Sequence, residues 1–212
     1  MEYGFPKMAE ILKPEKKGVA SLDYVTVTKE QASFGNMQAL FSGAGGLMHV
    51  EPGKYARLAV NNQLMMTDTQ MERRTNIDIK HRAHGDVLIG GLGIGMVILG
   101  ICEKPEVKSV TVVEKYQDVI DVIEPQLRPN MNGASDKLKI VCADVFNWKS
   151  KQKFNVIYFD IWPTITTDNL PDMAKLHQKY KNALDRTDEN CWMSSWMRDY
   201  LKSVHRRYRS AY

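Results

Sequence analysis

The chain has 212 residues, of which 43% are hydrophobic and 25% charged, and a formal net charge of +4. That is enough chain for one core and an accessory unit, with the composition of an ordinary globular protein. The mild basicity falls short of the concentrated basic stripe of a nucleic-acid module. The longest apolar stretch, residues 87–102, has 16 residues including five glycines, fewer than the roughly 20 apolar residues that span a bilayer. Cys102, Cys142 and Cys191 are widely spaced, with no CxxC pair and no zinc-type cluster. With no apolar leader in the first residues, they read as three buried, reduced thiols of a cytoplasmic protein.

The first 17 residues are polar and interrupted by Pro6 and Pro14, which predicts a loose arm. Leu22 to Val27 is rich in β-branched and aromatic residues and reads as a strand. Thr28 with Gln31 three residues later has the spacing of a capping box, opening a short helix towards Phe41. Ser42 to Gly46 is a flexible breaker. Two strands follow, Tyr55 to Val60 and Gln63 to Met66, joined by Asn61-Asn62, residues that tolerate the positive φ of a tight hairpin. From Asp68 to about His81 the pattern is helical and charged. Residues 1–83 therefore read as a small α+β unit containing a hairpin, suited to a lid. Its exposed hairpin edge is suited to pairing with a second subunit as a homodimer.

From Gly85 the rhythm changes to strands alternating with helices. Val87-Leu88-Ile89 is a wholly apolar strand of the kind buried on both faces of a parallel sheet. A helix over Ile94–Cys102 leads to a second strand, Ser109 to Val113. Tyr116, Val119, Ile120, Ile123 and Leu127 recur at helical spacing, with Pro125 expected to kink or end that helix. After a turn at Asn130–Gly133 come strands over Leu138–Cys142 and Asn155–Phe159. Leu170, Met173, His177, Tyr180 and Leu184 form a further helical stripe, on which His177 reads as a packed histidine. After Asn190 there is room for one short strand and a helix, which ends in basic residues that read as a solvated face. The class is α/β: residues 84–212 form a doubly wound, mostly parallel sheet, and the N-terminal unit precedes it.

The chemistry-bearing residues fall at strand ends, where ligands bind in open α/β sheets. The first strand runs into Gly91, Gly93 and Gly95, a GxGxG loop that lets the backbone turn and approach a ligand without an intervening Cβ. This differs from the GxGxxG that cradles a pyrophosphate. It suits S-adenosylmethionine (SAM), which has none. The second strand ends in Glu114-Lys115, with Glu114 23 residues after Gly91, placed to accept hydrogen bonds from ribose hydroxyls. The third ends in Asp144-Val145, a carboxylate for an adenine amino group beside a backbone for its ring. The fourth ends in Asp160-Ile161-Trp162-Pro163. Trp162 reads either as a wall of the acceptor pocket or as packing under its loop. Glu72 reads either as a group reaching a ligand cation or as an exposed helix carboxylate paired with Arg73 or Arg74.

The segments GGLGIG, VVEK, CADVF and FNVIYFDIWP resemble the successive motifs of class I SAM-dependent methyltransferases over residues 85 to about 185. More narrowly, Met66 to Thr69, Gly91 to Met96 and Asp160 to Pro163 resemble a group of small methyltransferase-like proteins of phage and environmental sequences. The hairpin before the domain also resembles the spermidine synthases. The resemblance implies a Rossmann-like methyltransferase fold. It implies that Gly91, Gly93 and Gly95 line the methionine and ribose of SAM, that Glu114 binds the ribose and Asp144 the adenine, and that Asp160 lies near the sulfonium. The spermidine synthases' diamine-binding set is not reproduced around Met65–Glu72, and DIWP is not the motif of amino-methylating DNA enzymes, so a DNA base is disfavoured. It comes closer to the motif of small guanidino N-methyltransferases. The reading is a SAM-dependent methyltransferase acting on a small nitrogen-containing molecule with Asp160, Trp162 and Glu72 at the reacting centre. The alternatives are a spermidine synthase-like aminopropyltransferase and a protein that binds or degrades SAM without a methyl acceptor.

Overall fold

The computed structural model describes residues 3–41 and 48–210; the expected breaker at Ser42–Gly46 lies outside them. An antiparallel sheet of order β1-β2-β3-β4 comes first, built from Glu15–Lys17, Ala20–Val27, Gly53–Val60 and Gln63–Thr67. Asn61 and Asn62 join β3 to β4 with φ of 51° and 63°, the left-handed pair that a two-residue hairpin needs. Helix α2 (Lys29–Phe41) starts at the expected capping box. The Thr28 N–H donates to Gln31 Oε1 at 2.9 Å, and the Gln31 N–H donates to Thr28 Oγ1 at 3.2 Å. Two short helices, α3 (Gln70–Thr75) and α4 (Ile77–Arg82), lead into the second sheet.

That sheet has five strands, all parallel, in the order β7-β6-β5-β8-β9. They are β5 (Gly85–Gly90), β6 (Val107–Glu114), β7 (Leu138–Cys142), β8 (Val156–Phe159) and β9 (Trp192–Ser195). The strand order reverses at β5, which makes its carboxyl end the topological switch point. Alternation along the strands feeds two cores. Val87, Ile89, Val110, Val112, Val156 and Tyr158 face α5 (Met96–Cys102), α6 (Gln117–Leu127) and the N-terminal sheet. Leu88, Val113, Ile157 and Phe159 face α7 (Leu170–Tyr180) and α8 (Arg198–Ser210). Side chains on both faces are buried, so these strands are continuous apolar runs rather than alternating ones.

Several expectations are corrected. The N-terminal segment is not a loose arm: it forms α1 (Met8–Ile11) and strand β1, and Phe5, Met8 and Leu12 are 0%, 0% and 1% exposed. Their spacing is that of an apolar stripe, which the flanking prolines obscured. Phe5 lies so close to Gly100 of α5 that a Cβ there would stand 2.5 Å from its ring. Helix α5 begins at Met96 rather than Ile94, because the glycine loop holds its positive φ angles up to Gly95. Helix α6 continues past Pro125 to Leu127. In the last turn a proline removes only one intrahelical hydrogen bond. Helix α7 stops at Tyr180, and Leu184 instead bridges Phe154. Of the three free cysteines only Cys102 is buried. Cys142 is exposed because it ends the edge strand β7, and Cys191 is half-buried in the turn before β9. Among the described residues no helix is long and apolar enough to cross a membrane.

Truncating Phe5 leaves a void against Gly100. Phe5→Ala is expected to lower unfolding free energy by about 3 kcal/mol, measured by denaturant titration. An unchanged midpoint would mean that the segment contributes nothing to the core.

Candidate functional site

A cavity of about 210 Å³ opens at the carboxyl ends of β5, β6 and β8, under the β3–β4 hairpin. The glycine loop forms its floor. Gly91 has φ of 97° and donates its N–H to the Val113 carbonyl at 2.9 Å. A Cβ on Gly91 would lie 2.3 Å from the Asp160 carbonyl oxygen, and one on Gly93 would lie 2.6 Å from the Met66 sulfur. Both positions need a residue that tolerates positive φ and occupies no side-chain space. Gly95 stands apart from them. It caps α5 with φ of 76°, a Cβ there would meet Leu127 at 2.5 Å, and it does not line the cavity.

Glu114 ends β6 and is buried, with both carboxyl oxygens held. Oε2 accepts the Leu92 N–H at 2.9 Å and Oε1 accepts the Tyr116 N–H at 2.9 Å. Burial pushes its pKa above the usual carboxylate range, and the backbone donors oppose that shift. Lys115 places its ammonium 3.7 Å from Asp144 Oδ2, while Asp144 Oδ1 accepts the Phe146 N–H at 2.8 Å. The Val145 carbonyl accepts the Tyr180 hydroxyl at 2.8 Å, which fixes the turn after β7. Gly91, Gly93, Glu114, Lys115, Asp144, Val145, Asp160, Trp162 and Glu72 all line the one cavity.

Its far end holds two acids. Asp160 follows β8, donates its N–H to the Gly90 carbonyl at 2.8 Å, and has a carboxyl pushed up to about 7 by burial. A hydrogen bond from the Asn76 side chain works against that shift. Glu72, on α3, is 8% exposed and is not the solvent-facing carboxylate that one reading allowed. Burial first, then the charge of Asp160, hold its carboxyl well above the ordinary range against a hydrogen bond from the Thr67 N–H. Arg73 turns instead to Asp68. Its Nη2 donates to the Asp68 carbonyl at 2.6 Å and lies 3.7 Å from Asp68 Oδ2. The Asp68 carboxylate, fully buried, also accepts the Ala56 N–H at 2.6 Å and the Ala9 N–H at 3.1 Å. One side chain thus joins α1, β3 and the start of α3.

Three residues that sequence reasoning passed over complete this end. Trp196 follows β9, lines the cavity, and donates its indole N–H to Thr75 Oγ1 at 2.9 Å. The strand-end rule applied to a fifth strand would have found it. Asn76, fully buried, donates to the Glu72 carbonyl at 3.1 Å and accepts the Tyr158 hydroxyl at 3.0 Å. No sequence pattern marks Asn76, and Tyr158 lies inside the FNVIYFDIWP segment without a role assigned to it there. His177 is a packed histidine, as expected. Its Nε2 lies 2.9 Å from Ser195 Oγ, and burial lowers its pKa to about 4.

No model of a known protein family and no curated protein matches the chain. Solved structures do. A spermidine synthase from Thermotoga maritima is 21% identical over 61% of this chain and 46% of its own, with a TM-score of 0.46. A SAM-dependent methyltransferase from Clostridium acetobutylicum is 22% identical over 53% of this chain and 43% of its own, with a TM-score of 0.34. The glycopeptide N-methyltransferase MtfA is 14% identical over 47% of this chain and 42% of its own, with a TM-score of 0.37. The chain spans less than half the length of each.

The raised Asp160 pKa has a consequence for stability. A carboxyl whose pKa is near 3.8 when unfolded and about 7 when folded stabilises the fold while protonated. That contribution is lost as pH rises from about 4 to about 7. Asp160→Asn is expected to flatten this part of the stability profile and to gain about 1 kcal/mol at pH 8, discounted for water reaching the cavity wall. Denaturant titrations across the pH range check it, and parallel profiles for the two proteins would refute it.

Proposed function

We propose that the cavity binds SAM and that the protein transfers the methyl group to a small, nitrogen-containing acceptor. The carrying observation is the convergence on one cavity of a Cβ-free loop, three strand-end acids and a buried carboxyl on α3. The residues fit the cofactor. Gly91 and Gly93 offer bare backbone at positive φ. Glu114, fixed by two backbone donors, keeps lone pairs free for ribose hydroxyls, and Asp144 with Val145 borders the place for an adenine. Leu58, Val60, Met66 and Val113 give the cavity apolar walls. The N-terminal unit serves as the lid.

When bound, SAM supplies a methyl group on a positively charged sulfur. The protein's own part is positioning and electrostatics. Asp160, with a carboxyl near 7, is suited to accept the proton that the acceptor nitrogen sheds at neutral pH. Trp162 and Trp196 exclude water and present aromatic faces that favour a cationic acceptor. Glu72, its carboxyl pushed well above the ordinary range by burial and by Asp160, is suited to donate a hydrogen bond.

Calorimetry should detect binding of SAM and S-adenosylhomocysteine, weakened about tenfold or more by Glu114→Ala, a loss of at least about 1.4 kcal/mol. Incubation with SAM and a panel of small amines and guanidines should yield S-adenosylhomocysteine only when an acceptor is present. Methylthioadenosine as the product would overturn methyl transfer, and the absence of any binding would overturn the cofactor assignment.

A further inference from the structure

We propose that a second cavity, walled by the loop between β7 and β8 and by the end of α7, binds a single nucleotide carrying several phosphates. Lys149, Lys151, Lys153 and Lys179 meet the phosphates, and Trp148 meets the base. This site is separate from the first cavity and does not rest on the proposed function.

The second cavity has a volume of about 390 Å³, within the range of small-ligand pockets. Its lining carries four lysines and no aspartate or glutamate. Among the described residues none of these four ammoniums forms an ion pair. The acid that acts on Lys179 is Asp144, but Asp144 lines the first cavity and lies 3.7 Å from Lys115. Burial, then the charge of Lys149, outweigh it and hold the Lys179 pKa below the ordinary range.

Two of the cations are fixed by backbone. Lys179 Nζ donates to the Phe146 carbonyl at 2.6 Å, and Lys153 Nζ donates to the Asn182 carbonyl. An ammonium has three donors, so each keeps others for a ligand. The loop itself is tied down at its end, where the Phe154 N–H donates to the Ala183 carbonyl at 2.8 Å. The cavity is therefore formed before anything enters it, which lowers the cost of binding.

A concavity lined by one sign of charge focuses its field into the opening. Four uncompensated cations suit an anion of several charges better than a lone carboxylate. A terminal phosphate carries about two negative charges at neutral pH, and each further phosphate adds another. Lysine, a compact charge with three rotatable donors, matches phosphate oxygens. Trp148 adds what phosphate alone does not need. Its ring is half-buried, stacks on Tyr180 with centroids 6.5 Å apart, and lines the same cavity. Aromatic faces take bases of any identity. The enclosed volume suits one nucleotide, and a net charge of +4 is small for a protein that tracks a nucleic-acid strand.

The test is calorimetry at low salt, without divalent metal, using uridine triphosphate, inorganic triphosphate and a short uridine oligonucleotide. Both triphosphates should bind wild type, more weakly as salt rises. Lys149→Ala combined with Lys151→Ala, at two exposed loop positions, should weaken both about tenfold or more. Arg207→Ala combined with Arg209→Ala removes the same charge from the exposed end of α8 and should leave both unchanged. Trp148→Leu should weaken uridine triphosphate about fivefold or more and spare inorganic triphosphate. Trp148→Phe, with a smaller loss, carries that arm if the leucine variant does not fold. Glu114→Ala alters the first cavity and should change nothing here, so this site and the SAM reading fail independently. No binding by wild type, equal losses in the two charge-removed proteins, or a loss in Glu114→Ala would overturn the site. Tighter binding of the oligonucleotide, or wild-type affinity for uridine triphosphate in the Trp148 variants, would overturn the single nucleotide as its occupant.

Discussion

The site depends on one close approach, that of the backbone after β5 to the backbone after β8. A side chain at Gly91 would collide with the Asp160 carbonyl at 2.3 Å. The Asp160 N–H bonds to Gly90 and the Gly91 N–H to Val113. Three neighbouring strands are thereby tied together at their carboxyl ends, where the order of the sheet reverses. Without that contact the glycine loop and the acid of β8 would open onto separate surfaces. With it, they share one cavity wall.

The approach has an electrostatic cost, because it brings Asp160 into the field of Glu72. Burial raises both carboxyls, and the charge of Asp160 raises Glu72 further, so the pair is suited to share a single proton rather than carry two charges. Helix α3, which carries Glu72, is only six residues long and would not hold its place by helix formation alone. The buried Asp68 carboxylate holds its start to β3 and α1. Arg73 closes the same corner at 3.7 Å from the Asp68 carboxylate.

The parallel sheet was legible in the sequence because its strands are uninterrupted apolar runs and its turns are marked by glycine and asparagine. The hairpin at Asn61-Asn62 and the capping box at Thr28 were legible because single residue types dictate those geometries. What could not be read was long-range. Phe5, Met8 and Leu12 look like part of a polar arm until Gly100 is seen to make room for a ring. Asn76 and Tyr158 are ordinary residues on an ordinary helix junction and strand, and their meeting is a tertiary fact. Glu72 was visible as a carboxylate but its burial was not, since burial depends on where α3 docks. Gly95 shares the loop's spacing with Gly91 and Gly93, yet its missing Cβ makes room for Leu127. Glycine spacing alone does not separate a glycine that lines the cavity from one that makes room for a helix side chain.

The cavity is also divided along the chain. Gly91, Gly93, Glu114 and Asp144 come from the parallel sheet, whereas Leu58, Val60, Met65, Met66 and Glu72 come from the segment before it. Hydrophobic residues of both parts share one core, in which Phe5, Met8 and Leu58 pack with Ile94, Leu99 and Ile123. Full burial of a large apolar side chain is worth about 1.5–3 kcal/mol, and Phe5 and Leu58 both make that contribution at this seam, while burial and the charge of Asp160 push the Glu72 carboxyl up. Changes in that unit would alter what meets Asp160 without touching the strand-end residues of the parallel sheet, and Glu72 is where the two parts are coupled by charge as well as by packing.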